Sequence, residues 1–242
     1  MNHKFTSSPW GFRLWDFDKY CRFMKEIGIY DICTMFGDPG TFPLAFKPEK
    51  SAVENYQKKA KEQGINIVEI ATTMDYVNEI PLAGLLGVKY FRVCDNWEDT
   101  NEKFLWVVKT LKEMGKLAKS FGITVVVENH GGLIAKASSC RKLLQEVNLE
   151  NVKLNYDPAN FLYYGEDPVN TLDELLPLIG FTHFKSVRYE QGKPKYCRLE
   201  EGVIDYKTIF EKLLPQYSGY LGLEYEEPSD VEKGTLDDFH CL

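Results

Sequence analysis

The chain has 242 residues, 44% of them hydrophobic and 14% aromatic, with 29 basic against 36 acidic residues and a net charge of −7. That length suits one large domain with ample core material, and the composition excludes disordered and fibrous classes. An acidic chain with no dense Lys/Arg run has no global attraction for nucleic acid or anionic membranes.

The longest mostly apolar stretches, such as 80–88 and 123–127, fall short of the roughly 20 residues that span a bilayer. Residues 1–4 lead into a mixed polar and aromatic segment with no apolar signal-peptide core, which predicts a cytoplasmic location. The six cysteines are scattered without a CxxC spacing. Buried, reduced thiols are therefore expected, not a zinc-thiolate site or a disulfide framework.

Residues 4–8 read as a strand, and Tyr20, Phe23, Met24 and Ile27 then repeat at helical spacing within 17–27. A strand at 30–34 precedes a helix at 51–63, with Ser51 suited to its N-cap and Gly64 to the residue past its end. A strand at 65–72 is followed by 77–86, where Pro81 interrupts the helical pattern. Next come a strand at 89–94 and the longest helix, 101–121, with Phe104, Leu105, Val108, Leu111, Met114 and Leu117 on or near one face. Strands at 124–128, 153–157, 181–187 and 221–225 alternate with helices at 138–147, 169–179 and 206–214. Only 226–242 follow, so the closing helix is expected to be short or absent.

Alternating strands and helices imply parallel strands joined by right-handed crossovers. Eight such units in about 250 residues is the arithmetic of a (β/α)8 TIM barrel, here one domain over 1–242. The competing doubly wound dinucleotide fold lacks its Gly-rich turn, because the first strand runs into SSPWGF.

In such a barrel the chemistry sits where strands finish. Strand five ends VVVENH, giving Glu128, Asn129 and His130. Strand six ends LNYDPAN, with Asp157 and Asn160. Strand seven reads FTHFKS, with His183 and Lys185, and strand eight reads LGLEYEE, with Glu224 and Glu226. Alternation along a strand puts Val126, Asn155 and Gly222 on the same faces as Glu128, Asp157 and Glu224. Two Glu, one Asp and one His make a mainly oxygen-donor set that suits Mn²⁺ or Mg²⁺ and can hold Zn²⁺, Co²⁺ or Fe²⁺. Without a cation, three inward carboxylates at one mouth repel one another. Each acid alone reads equally well as a solvated strand end, and Asp157 as a helix N-cap. Four on consecutive strands favour a metal site.

These segments also carry a resemblance. VVVENHGG at 125–132, NYDPANFLYYGEDP at 155–168, THFKSVR at 182–188, LEEGVIDY at 199–206 and GYLGLEYEEP at 219–228 stand in a characteristic order, with LGVKYFRV at 86–93 before them. Over about residues 30–228 the chain resembles the sugar phosphate isomerase/epimerase family of xylose-isomerase-like TIM barrels. The resemblance implies one divalent cation, Mn²⁺ foremost, held by Glu128, Asp157, His183 and Glu224. It implies an isomerase or epimerase of a small carbohydrate, with Glu128 and Glu224 passing a proton through a metal-bound enediolate. A dehydratase of a keto-polyol is the alternative within the superfamily. An endonuclease-IV-like phosphodiesterase is disfavoured by the acidic charge and by a total of four histidines. A non-catalytic sugar-binding barrel is disfavoured by retention of all four expected ligands.

Two features depart from the family. Ser186 stands where His-x-Lys-Asp would place an acid. The segment between strands three and four is short and the C-terminal helix curtailed, which leaves a mouth that a partner subunit of a homo-oligomer can cover.

Other residues keep two readings. His130 contacts substrate or makes a structural hydrogen bond, and Asn160 reaches a substrate hydroxyl or caps a helix. Lys185 binds a substrate oxyanion or neutralises the acids, and Arg188 contacts an anionic group or is an ordinary exposed arginine. Trp10, Phe12 and Trp15 stack on a sugar or pack the core. Glu69 lies inside strand three, Cys94, Asp95 and Trp97 close strand four, and Glu226 rivals Glu224 as a ligand. His3 and His240 lie near the termini.

Overall fold

In the computed structural model, which describes residues 4–242, strand and helix alternate along the chain. The elements are β1 (Lys4–Ser7), α1 (Phe17–Glu26), β2 (Asp31–Met35), α2 (Lys50–Gln63), β3 (Asn66–Ala71), α3 (Tyr76–Leu86), β4 (Tyr90–Val93), α4 (Asn101–Lys119), β5 (Thr124–Glu128) and α5 (Ala137–Val147). They continue as β6 (Val152–Tyr156), α6 (Pro158–Tyr163), α7 (Pro168–Leu175), β7 (Ile179–Phe184), β8 (Ser186–Glu190), β9 (Lys193–Cys197), α8 (Tyr206–Leu213), β10 (Tyr220–Leu223) and α9 (Val231–Cys241). Eight strands pair in parallel in the order β1-β10-β7-β6-β5-β4-β3-β2. The two ends of that order, β1 and β2, lie in contact, so the sheet is a nearly closed (β/α)8 barrel.

Alternation along each strand divides its side chains between two cores. Cys33, Val68, Val126, Phe181 and Tyr220 pack with Tyr90 as a layer inside the barrel. Ile32, Phe91, Val125, Leu154, Phe184 and Leu221 belong to the larger core beneath the helices. Two residues past Tyr90, Val126, Phe181 and Tyr220, the same parity delivers Arg92, Glu128, His183 and Gly222 to the interior near the strand ends.

The expected Pro81 interruption is absent, and α3 runs straight through it. The missing Pro81 N–H would have bonded the Val77 carbonyl four residues back, and Val77 is exposed, on the side of the helix where a lost backbone bond costs least. The start of α3 is fixed by buried Glu79, whose carboxylate accepts from the Thr73 backbone N–H at 3.0 Å and from the Thr72 and Thr73 hydroxyls. Ser51 is not the N-cap of α2, because Glu49 holds that position without a side-chain bond. Gly64, at φ 71°, ends the helix as expected, its N–H reaching the Ala60 and Lys61 carbonyls. The closing helix α9, expected to be short or absent, has 11 residues, as many as α3 and α5.

The strand expected over 181–187 stops short of Lys185. The chain continues into an antiparallel hairpin, β8 with β9, turned at Gln191 and Gly192 with φ of 52° and 76°. Two left-handed residues between paired Glu190 and Lys193 form a turn whose twist matches that of its strands. No helix of the described residues is long and apolar enough to cross a membrane. All six cysteines are free, and Cys21, Cys33, Cys140 and Cys197 are buried.

Candidate metal centre

Donor atoms of Glu128 at the end of β5, His183 on β7 and Glu224 just past β10 lie within 4.8 Å of one another. All three residues are buried. Gly222 makes room for the imidazole: a Cβ there would press on the Thr182 carbonyl and come 3.1 Å from His183 Cδ2. His183 Nδ1 stands 3.2 Å from Glu224 Oε1, 3.7 Å from Glu128 Oε2 and 3.3 Å from Asn155 Nδ2. Its Nε2 is buried with no hydrogen-bond partner.

Both carboxylates are fixed from outside the trio. Arg92 donates to Glu128 Oε2 at 2.7 Å and to Glu69 Oε1 at 3.0 Å. Asn160 Nδ2 reaches Glu128 Oε1 at 3.4 Å, and the Tyr196 hydroxyl donates to Asn160 Oδ1 at 2.7 Å. Ser8 Oγ donates to Glu224 Oε1 at 2.5 Å, while Lys185 Nζ donates to Glu224 Oε2 at 2.7 Å.

Asp157 does not join the three convergent donors. Its Oδ1 accepts from the backbone N–H groups of Ala159 at 2.8 Å and Asn160 at 3.1 Å, and so caps α6. Its Oδ2 lies 2.9 Å from Lys185 Nζ. The N-cap reading and the mouth-carboxylate reading therefore both hold for this side chain, one oxygen each. Lys185 Nζ is also 2.7 Å from Glu226 Oε1 and sits 4.6 Å from the centre of the Tyr196 ring.

The electrostatics follow from burial set against these partners. Burial and the Glu224 charge push Glu128 up, but Arg92 and His183 outweigh them and hold it below its ordinary value. Burial is likewise overcome at Glu224 by His183 and Lys185, which keep it well below the usual carboxylate range. At Asp157 burial wins over Lys185, with Glu224 and Glu128 adding to it, and the carboxyl is pushed up to about 6. His183 is raised well above its usual value, because the two glutamates overcome the cost of burial.

The donor set fits a divalent cation. Five carboxylates, Glu69, Glu128, Asp157, Glu224 and Glu226, outnumber the fixed cations Arg92 and Lys185 even with the His183 imidazolium counted beside them. Buried negative charge in excess is costly without a further positive partner. Two carboxylates and an imidazole whose Nδ1 faces both of them are a combination that Zn²⁺, Mn²⁺ and similar ions accept. The centre opens into a cavity of about 470 Å³ whose lining joins Arg92, Glu128, Lys185 and Glu224 to the apolar Trp10, Met35 and Phe36.

The remaining expectations divide. His130, Cys94 and Glu226 line the cavity, Glu226 with its carboxylate on Lys185. Trp10 lines it too and packs on Phe42 at 5.6 Å, whereas Phe12 is core and Trp15 packs on Phe12 and Phe23. Asn160 lies inside α6 and is not its cap. Arg188 is not brought to the cavity; on β8 it pairs with Glu190 at 2.8 Å and Glu201 at 2.6 Å. Ser186 is buried against Gly202 with no hydrogen-bond partner and is not among the three convergent donors. Asp95 and His240 are exposed, Trp97 is buried, and His3 lies outside the described residues.

Three residues of the centre are absent from the sequence reading: Arg92, Ser8 and Tyr196. Arg92 had a legible signal, a lone charge in the apolar run YFRV of a strand. Ser8 and Tyr196 had none, since their roles depend on β1 meeting β10 and on the hairpin folding over α6.

The family described as xylose isomerase-like TIM barrel matches residues 21–242. The chain is 31% identical over 167 residues to the inosose dehydratase of Mesomycoplasma hyopneumoniae (strain 7448), which covers 59% of this chain and 56% of that protein. It spans about half the length of the curated relatives it matches. The IOLI protein with a bound zinc atom superposes with a TM-score of 0.81 at 14% identity, over 98% of this chain and 95% of that one. The D-allulose 3-epimerase of Methylomonas sp. in complex with D-allulose gives a TM-score of 0.78 at 12% identity, over 99% and 96%. Likeness at such identities is a likeness of fold. The sequence match over 21–242 goes further, and with the eight parallel strands it shows that the chain belongs to the xylose isomerase-like TIM barrel family.

Proposed function

We propose that this protein is a divalent-metal-dependent isomerase or epimerase that moves a proton beside the carbonyl of a small sugar-like ketone. The observation that carries this reading is the convergence of Glu128, His183 and Glu224 within 4.8 Å at a cavity of about 470 Å³. Glu128, His183 and Glu224, with Asp157 beside them, would hold the cation, Mn²⁺ foremost. Such an ion supplies Lewis-acid polarisation of a carbonyl. Glu128 and Glu224 reach the cavity from different strands, so either can take a proton from a substrate carbon and, protonated by that step, return it to the neighbouring carbon, while delivery to the opposite face needs the other glutamate first to take up a proton from solvent. Both stay ionised at neutral pH, because Arg92, His183 and Lys185 favour their charged forms. Trp10 offers an apolar ring to the C–H face of a sugar, and His130 offers a polar group to its hydroxyls. Lys185 and Arg92 are already paired with carboxylates, which counts against nucleic acid as a substrate.

A dehydratase is the second reading, favoured by the inosose dehydratase relative. It uses the same proton removal, followed by loss of the neighbouring hydroxyl as water, with His130, which lines the cavity, as the group that would protonate the leaving hydroxyl.

The test is incubation of the metal-loaded protein in D₂O with ketoses, inososes, dehydroshikimate-like acids and sugar phosphates. Deuterium next to the carbonyl with an isomer or epimer as product supports the first reading. Loss of water to an unsaturated ketone supports the second. Neither deuterium nor loss of water in any compound, in protein shown to hold metal, overturns both.

A further inference from the structure

The centre already contains a cation of its own. Lys185 is 1% exposed, and its Nζ lies 2.9 Å from Asp157 Oδ2, 2.7 Å from Glu224 Oε2 and 2.7 Å from Glu226 Oε1. Glu224 belongs to the convergent trio, and Asp157 is the carboxylate that would complete a four-residue set. The ammonium therefore occupies the oxygens a metal would draw on. Of the three carboxylates only Glu224 accepts a hydrogen bond from the ammonium; Asp157 Oδ2, the oxygen not taken by the α6 cap, lies at ion-pair distance with no hydrogen-bond partner. A divalent ion and an ammonium compete for such oxygens, since they repel each other and seek the same lone pairs.

Glu226 differs from the other two partners. It lies two residues beyond Glu224, its side chain is 23% exposed, and it is not among the converging donors. It is thus the partner nearest solvent. The Tyr196 ring, 4.6 Å from Nζ, can also hold an ammonium without claiming a carboxylate.

We propose that Lys185 is a resident counter-ion that a divalent cation must displace, and that Glu226 retains it when it gives up Asp157 and Glu224. The inference rests on the metal-dependent reading above. It gives the metal-free centre a way to stay compact with its acids paired. It also makes metal affinity the outcome of a competition, with the two partners of the Lys185–Glu226 pair acting in opposite directions.

The experiment is calorimetric titration of the metal-free full chain with Mn²⁺ and with Zn²⁺, for the wild type, Lys185→Gln, Lys185→Met and Glu226→Gln. Removing the competitor should tighten binding about tenfold, and removing the receiver should weaken it by about three- to tenfold. A merely structural role for either residue would weaken binding in both. Wild type that binds metal while folded Lys185→Gln binds no more tightly overturns the proposal. Tight binding confined to the Lys185 variants supports it. If the Lys185 variants do not fold, Glu226→Gln decides alone, and unchanged or tighter binding there overturns the proposal. If no folded chain binds either metal, the proposal falls together with the metal-dependent reading. Opposite shifts in the two variants, with neither deuterium exchange nor loss of water in any compound, would sink the catalytic reading alone.

Discussion

Arg92 on β4 and Glu128 on β5 form a buried ion pair of 2.7 Å between neighbouring strands. The same guanidinium reaches Glu69 on β3 at 3.0 Å, so one arginine ties together carboxylates from both flanking strands. A planar fork with several donors suits this placement, since Nε reaches one strand's acid and a terminal nitrogen the other's. Arg92→Met should cost about 3–5 kcal/mol, because it strands two buried carboxylates. Arg92→Lys should lose less. Urea unfolding of the metal-free chains checks this, and a loss under about 1 kcal/mol for Arg92→Met would show that the acids find other partners.

Gly222 and His183 give a second test. The Gly222 position has no room for a methyl group between the Thr182 carbonyl and the His183 ring. Gly222→Ala should cost about 1–3 kcal/mol, typical of overpacking. It should also turn the imidazole from its place and weaken Zn²⁺ binding. Normal affinity in a folded Gly222→Ala chain would mean that His183 is not held by this contact.

These contacts mark what was legible in the sequence. The eight strands were readable because apolar runs of β-type residues alternate with helical spacing, a local pattern. Glu128, Asp157, His183 and Glu224 stood out because charged residues are rare after such runs. What Asp157 binds was not readable, since Lys185 lies 28 residues away and meets it only when β6 and β7 pair. Pro81 misled because its cost depends on whether the Val77 carbonyl sees water, a tertiary fact. The hairpin was missed because its first two residues were read as the end of a strand over 181–187 and the rest was assigned to no element, although Gln-Gly between two runs was its turn signal.

Glu128 and Glu224 should also separate metal binding from proton transfer. Glu→Gln keeps the shape and one oxygen donor but removes the base. Deuterium incorporation by Glu128→Gln or Glu224→Gln should fall by about 10²–10⁴, the usual worth of a positioned acid or base. Metal content, measured in each variant, should fall less. Near-normal exchange in both metal-loaded variants would remove the glutamates from the proton path.

Asp238 on α9 provides the pH test away from the metal centre. It is 1% exposed, its Oδ1 accepts from the Leu199 backbone N–H at 2.8 Å, and its Oδ2 has no hydrogen-bond partner. Burial pushes the carboxyl up to about 7, against the pull of the Leu199 N–H and Arg198. In the unfolded chain the same group titrates near 3.8. The folded state thus binds this proton more tightly. Its stabilising contribution is complete below the unfolded value and is lost as pH rises through about 7. Within that window the slope is about 1.4 kcal/mol per pH unit for one proton. Asp238→Asn keeps an oxygen acceptor for Leu199 and never ionises. The stability difference between variant and wild type should therefore move in favour of the variant as pH rises from about 4.5 to about 7, then level off. Urea unfolding of the metal-free chains across that range measures it. A difference that stays flat through the window would show that Asp238 ionises at its ordinary value despite its burial.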